Sequence, residues 1–192
     1  MSRPDPNLLS LNTATVKAQW NLGEAIEGCV RHGIRGISPW RDKIAEYGLK
    51  AAARHIRDAG LTVTGVCRGG MFPAADAAGR RAALDDNRRA VDEAAALGAQ
   101  CLVLVVGGLP PGSKDIAGAR AQVRDGIAEL LEYARPAGVP LAIEPLHPMY
   151  AADRACVNTL GQANDLCDEL GAGVGVAVDV YHVWWDPALE RE

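Results

Sequence analysis

Two short stretches of this 192-residue chain carry matched chemistry. One reads Leu141-Ala142-Ile143-Glu144 and the other Val176-Ala177-Val178-Asp179, each an apolar run that ends in a carboxylate. If both runs are β-strands, side chains alternate between faces, so Ala142 shares a face with Glu144 and Ala177 with Asp179. Neighbouring parallel strands lie about 4.8 Å apart, which would stand the two acids side by side at the edge of an apolar core. Two such anions cannot both stay ionised unless a proton or a cation sits between them. A divalent cation is the economical solution, because hard oxygen ligands suit Mg, Mn or Zn. The plainer alternative is that each acid caps the following helix or pairs with an arginine. Each acid is followed three residues later by a histidine, as Glu144-Pro-Leu-His147 and Asp179-Val-Tyr-His182. Imidazole is a common ligand and acid–base group. His182 could ligate the ion, contact a substrate hydroxyl or anchor its loop, and His147 falls in a turn-prone segment. His32 and His55 sit in helical stretches, where surface or packing roles are expected.

The elements that must position these residues follow from glycine and hydrophobic spacing. Gly33, Gly60, Gly98, Gly138 and Gly171 each precede a short apolar run. Glycine just past a helix supplies the left-handed conformation that closes it, so five helices are expected to stop there. Ile116, Ala119, Val123, Ile127, Leu130 and Ala134 recur at helical spacing. Asn21 with Glu24, and Thr159 with Gln162, have capping-box spacing at two helix starts. Strands are expected near 8–12, 34–38, 61–67, 101–106, 139–144 and 174–179. Alternation of strand and helix with long crossovers means parallel strands. No GxGxxG follows the first strand and no GxxxxGK[ST] occurs, which removes the usual support for a nucleotide-binding open sheet. The expected fold is therefore α/β, of the (βα)8 TIM-barrel type, with about six βα units in a single incomplete domain over residues 1–192. A whole barrel typically takes about 250 residues. Asp186-Pro187 reads as the cap and first residue of a sixth helix, so the chain is expected to end within an element. The first and last strands would then be unpaired edges, for which a homo-oligomer or a completing chain is the expected remedy.

Composition narrows the function classes. With 20 basic and 24 acidic side chains the formal charge is -4, and no basic run exceeds a pair, which argues against a nucleic-acid partner. No apolar run approaches the ~20 residues of a bilayer span, and the start MSRPDPNLL lacks the layout of a secretory signal. Five cysteines, at 29, 67, 101, 156 and 167, form no CxxC and read as thiols of a reducing cytoplasm. Arginine outnumbers lysine 16 to 4, a bias of GC-rich bacterial genomes.

The Ile-Glu-Pro at 143–145, followed 35 residues after Glu144 by Asp179-x-x-His182, resembles the xylose-isomerase-like TIM barrels. That superfamily holds sugar isomerases and epimerases and shares its fold with the endonuclease IV repair nucleases. The resemblance implies one divalent ion (Mn, Mg, Co or Zn), held in the epimerase branch by Glu, Asp, His and Glu from strands five to eight. Glu144 and Asp179 match the first two ligands, and the other two would fall after residue 192. It also implies that Glu144 is the catalytic base, moving a proton next to a carbonyl through an enediolate, and that His182 meets substrate hydroxyls. The substrate would be a small sugar or polyol. His147, Arg68 at the end of strand three, Trp40 after strand two and Trp184 beside His182 are further candidates for contacting it. Dehydration or C-glycoside cleavage on the same scaffold begins with the same proton removal, and a partner-dependent or inactive barrel fragment is the non-enzymatic alternative. The nuclease branch is disfavoured, because the ends of strands three and four offer Cys67, Arg68 and Gly107 where it requires histidines.

Overall fold

A computed structural model describes residues 5–192. Strands β1 (Ser10–Asn12), β2 (Gly36–Ser38), β3 (Thr62–Val63), β4 (Val66–Gly70), β5 (Leu102–Val105), β6 (Leu141–Ile143) and β7 (Val174–Val176) alternate with helices. The helices are α1 (Leu22–His32), α2 (Arg41–Tyr47), α3 (Leu49–Asp58), α4 (Ala77–Leu97), α5 (Ile116–Ala134), α6 (Leu160–Leu170) and α7 (Val180–Val183). Every strand pairing is parallel, in the order β1-β2-β3 and β4-β5-β6-β7. The stretch expected as one third strand over 61–67 runs as two pieces. Thr64 N–H donates to Ile37 on the β2 side and Val66 N–H to Cys101 ahead of β5, so hydrogen bonding changes neighbour at Thr64–Gly65. A parallel bridge between Trp40 and Cys67 joins the two sheets into one curved surface. This is a partial barrel of about six βα units.

Helix ends follow the local chemistry of their residues. Asn21 accepts from Glu24 N–H at 3.0 Å while Glu24 accepts from Asn21 N–H at 2.8 Å, a complete capping box. The second expected box is only half formed. Thr159 accepts from Gln162 N–H, but the Gln162 side chain reaches past it to Asn158 N–H. Gly33 and Gly98 close α1 and α4 in the left-handed conformation. Asp186 does not open a regular helix: residues 187–191 form turns, and its carboxylate accepts from Ala188 and Leu160 N–H, pinning that segment to the start of α6.

The main core lies between sheet and helices. Leu102, Leu104, Leu141 and Ile143 are buried against a layer that includes Val91, Ala94, Val123, Ile127 and Leu130. The face expected on α5 is buried from Ala119 to Ala134, with Ile116 at its exposed start. Residues paired in a parallel register share a face, so Cys67, Val103 and Ala142 point together to the barrel interior. At the two ends of the strand order, β1 and β7 pair on one side only among the described residues. No helix of the described residues is long and apolar enough to cross a membrane.

Candidate metal centre

Glu144 stands one residue beyond β6, and its N–H donates to Leu104 O at 3.1 Å, carrying the ladder with β5 past the strand end. Alternation puts its side chain on the inner face with Ala142. The neighbouring chain stays paired as far as Ala177, whose N–H donates to Ile143 O. It then departs from expectation: β7 ends at Val176, and Asp179 is the N-cap of α7, with Oδ1 accepting from Tyr181 N–H at 2.8 Å. The helix-capping alternative is thus realised for this acid, yet capping engages only Oδ1. His182 follows on α7, and one potential ligand atom from each of Glu144, Asp179 and His182 lies within 4.8 Å of the others.

Electrostatics at this cluster are unbalanced. Neither carboxylate forms an ion pair with an arginine among the described residues. Burial, reinforced by the charge of Asp179 and opposed by Arg68, pushes Glu144 up to about 7. Burial lowers His182 below the ordinary imidazole value against the pull of Asp179, which keeps the ring neutral at pH 7. His182 Nδ1 accepts from His147 N–H at 3.3 Å, so in the neutral ring the proton resides on Nε2. Tyr150 and Tyr181 meet the ring edge-on at 5.7 and 5.0 Å and hold its orientation.

The remaining candidates fall at different places around the mouth. The His147 ring stacks with Trp184 at 6.4 Å and meets Trp185 edge-on at 5.8 Å, while its Nδ1 accepts from Met149 N–H. Its link to the cluster is through its backbone. Trp184 is 69% exposed. Trp40 follows β2, with Nε1 donating to Asn12 Oδ1 at 2.8 Å and its N–H to the buried Thr13 hydroxyl. Arg41, next to it, forms short pairs with Asp86 and Glu93 of α4 and fixes that loop. Arg68 is exposed on β4. Burial and the charge of Glu144 push the Cys67 thiol up to about 12, so it is a protonated, inert group. His55 accepts from or donates to the Tyr47 hydroxyl through Nδ1 and packs on that ring, a packing role.

Two positioning residues were not picked out from the sequence. Asn12 caps the turn after β1 and anchors the Trp40 indole. Asn87, 1% exposed on α4, accepts from Gly70 N–H and donates to Gly70 O, clamping the end of β4. The available signal was a polar residue on the apolar stripe of Leu84 and Val91. The pairs Gly69-Gly70 and Gly107-Gly108 are accounted for by packing. Gly70 has φ 109° beside the Val105 carbonyl, and a Cβ on Gly108 would strike the Ala152 backbone.

The two carboxylates, neither paired with a guanidinium among the described residues, fit a hard divalent cation, with the neutral His182 ring beside them. The fold and this donor set define a family, and residues 26–192 match the xylose isomerase-like TIM barrel. The chain belongs to that family. It is 65% identical to protein SMc04130 from Sinorhizobium meliloti 1021, with a TM-score of 0.95, over 96% of this chain and 67% of that one. It shares its fold with IOLI protein, solved with a binding zinc atom, at 24% identity and TM-score 0.78 over 90% of this chain and 63% of that one. It also shares it with a D-psicose 3-epimerase solved in the presence of D-fructose, at 21% identity and TM-score 0.77 over 93% of this chain and 65% of that one. The chain thus spans about two thirds of the length of these solved structures. No curated protein matches the chain in sequence.

Proposed function

We propose that this chain carries the metal-binding and proton-transfer half of a sugar isomerase or epimerase site. The observation behind that reading is the meeting of Glu144, Asp179 and His182 just past β6 and β7, with no arginine ion-paired to either acid among the described residues. Glu144 and Asp179 would hold the ion. A divalent cation there supplies Lewis acidity, polarising a substrate carbonyl and its adjacent hydroxyl so that the neighbouring C–H becomes acidic. Glu144 is the base that takes this proton. His182 presents Nε2–H as a donor to a substrate hydroxyl, because its Nδ1 is engaged by the His147 backbone. Trp40, anchored by Asn12, offers a ring to one face of a sugar. The open edges at β1 and β7 are expected to be covered in the working enzyme by a second copy or a completing chain, which size-exclusion chromatography reports.

Titration of the chelator-treated protein with Mn(II) tests the reading. One equivalent bound by the wild-type chain and none by E144Q is the expected result; equal binding by both removes Glu144 from the ligand set. For the reaction, deuterium entering a ketose from heavy water at the carbon beside its carbonyl is the expected product signature.

A further inference from the structure

On the helix side of the sheet, between α4 and α5, lies a cleft of about 410 Å³ that shares no residue with the metal cluster. Small-molecule sites typically span about 300–1,000 Å³. Its floor is apolar and fixed in place. Phe72, just past β4, is 3% exposed and Leu84 of α4 is 6% exposed, and the Phe72 N–H donates to Val106 O. Gly126 of α5 lies against the Phe72 ring, where a Cβ would come within 2.5 Å of Cδ1. Glycine at this position is what lets the ring lie between the two helices.

The charges lining the cleft are unevenly satisfied. Arg88 reaches Asp85 and Glu129 at 3.2 Å each, and Asp125 pairs with Arg124 at 2.7 Å. Arg80 and Arg81, about two turns nearer the start of α4, form no ion pair among the described residues. Arg80 has only the Ala74 carbonyl, at 3.5 Å, and Asp76 is engaged in capping α4 through Gly79 N–H. Gln122 of α5 meets the same residue, its Oε1 accepting from Ala74 N–H, so the guanidinium and the amide converge at one end of the cleft. The side-chain N–H groups of Gln122 remain as donors there. Helix stability does not call for the two arginines, which stand in and just past the first turn of α4, where the dipole favours anions.

We infer that this cleft binds a small organic acid, its carboxylate held by Arg80, Arg81 and the Gln122 amide and its apolar body laid over Phe72 and Leu84. A planar guanidinium matches a carboxylate through two parallel hydrogen bonds. A bare inorganic anion would leave the apolar floor uncovered, and a neutral hydrocarbon would leave both guanidinium groups without a counter-ion.

The test is calorimetric titration of the full chain with naphthalene-2-carboxylate, the uncharged naphthalene-2-carboxamide, acetate and inorganic phosphate. The proteins compared are wild type, R80Q/R81Q and R54Q/R57Q, the last making the same change of charge at two exposed arginines of α3. Wild type is expected to bind one equivalent of naphthalene-2-carboxylate, about 10-fold or more tightly than the carboxamide or acetate. That preference should fall to about 2-fold in R80Q/R81Q and persist in R54Q/R57Q. No binding of the naphthoate, equal affinity for acid and carboxamide, or equal losses in the two double variants overturns the proposal. Acetate or phosphate bound as tightly as the naphthoate and lost in R80Q/R81Q overturns the apolar-body assignment in favour of a simple anion site. None of these readouts depends on metal at Glu144 and Asp179, so the outcome is separate from that of the metal titration.

Discussion

The ends of β6 and β7 deliver the same residue type to the same place by different means. β6 has a hydrogen-bonded neighbour on each side and is buried throughout, so Glu144 leaves the strand into a desolvated position where no donor among the described residues meets its carboxylate. β7 is half-buried, and the chain beyond it turns at once into α7, where Val178, Val180 and Tyr181 are exposed. Asp179 therefore caps α7, its Oδ1 accepting from Tyr181 N–H. One acid is desolvated beyond a buried strand and the other is engaged as a helix cap. Division of labour between paired carboxylates arises from such differences in surroundings, with no difference in residue chemistry.

The largest effect expected from breaking this comparison is on metal affinity. E144Q should weaken Mn(II) binding by at least about 100-fold, since even residues behind the ligands typically cost 10–100-fold; elemental analysis and calorimetry measure it. Next is a pH effect on the chelator-treated protein. Glu144 is raised from its ordinary 4.5 to about 7 in the folded state, so between those values the folded chain holds a proton that the unfolded chain has released. Its contribution to stability therefore falls as pH rises from about 4.5 to about 7, by on the order of 3 kcal/mol, and is level above that. Urea unfolding across this window should show that slope in wild type and not in E144Q. The smallest effect separates cap from charge at Asp179. D179N retains a capping oxygen, whereas D179A should lose about 1 kcal/mol relative to it in unfolding experiments. Both should shift the Glu144 transition to lower pH, because the charge that opposes its ionisation is gone.

Much of the architecture could be read along the chain, because its cues are local. Gly33 and Gly98 end helices through their own backbone freedom, Asn21 and Glu24 cap each other within four residues, and the α5 stripe is set by helical periodicity. Cues open to competing partners were harder. Gln162 turned to Asn158 instead of completing a box, the third strand divided where its two neighbours compete for hydrogen bonds, and Asp186 was drawn to Leu160 instead of starting a helix. At the site, the spacing of Glu144, Asp179 and His182 was visible, but the engagement of His182 by the His147 backbone and the anchoring of Trp40 by Asn12 were not. These contacts span 35 and 28 residues, and no pattern in a single sequence encodes which polar groups will meet over such distances.

By itself the sequence determined the alternation of strand and helix, the parallel pairing it requires, and the two carboxylates that follow successive strands. Those depend on periodicity and on the handful of residues that start and stop an element. Only the tertiary structure decided how those acids differ, which imidazole nitrogen is engaged, and that a bulge leaves Arg68 of β4 without a partner on β5. Burial, proximity of charge and register are properties of neighbours brought together by the fold, and they govern protonation and charge at the site.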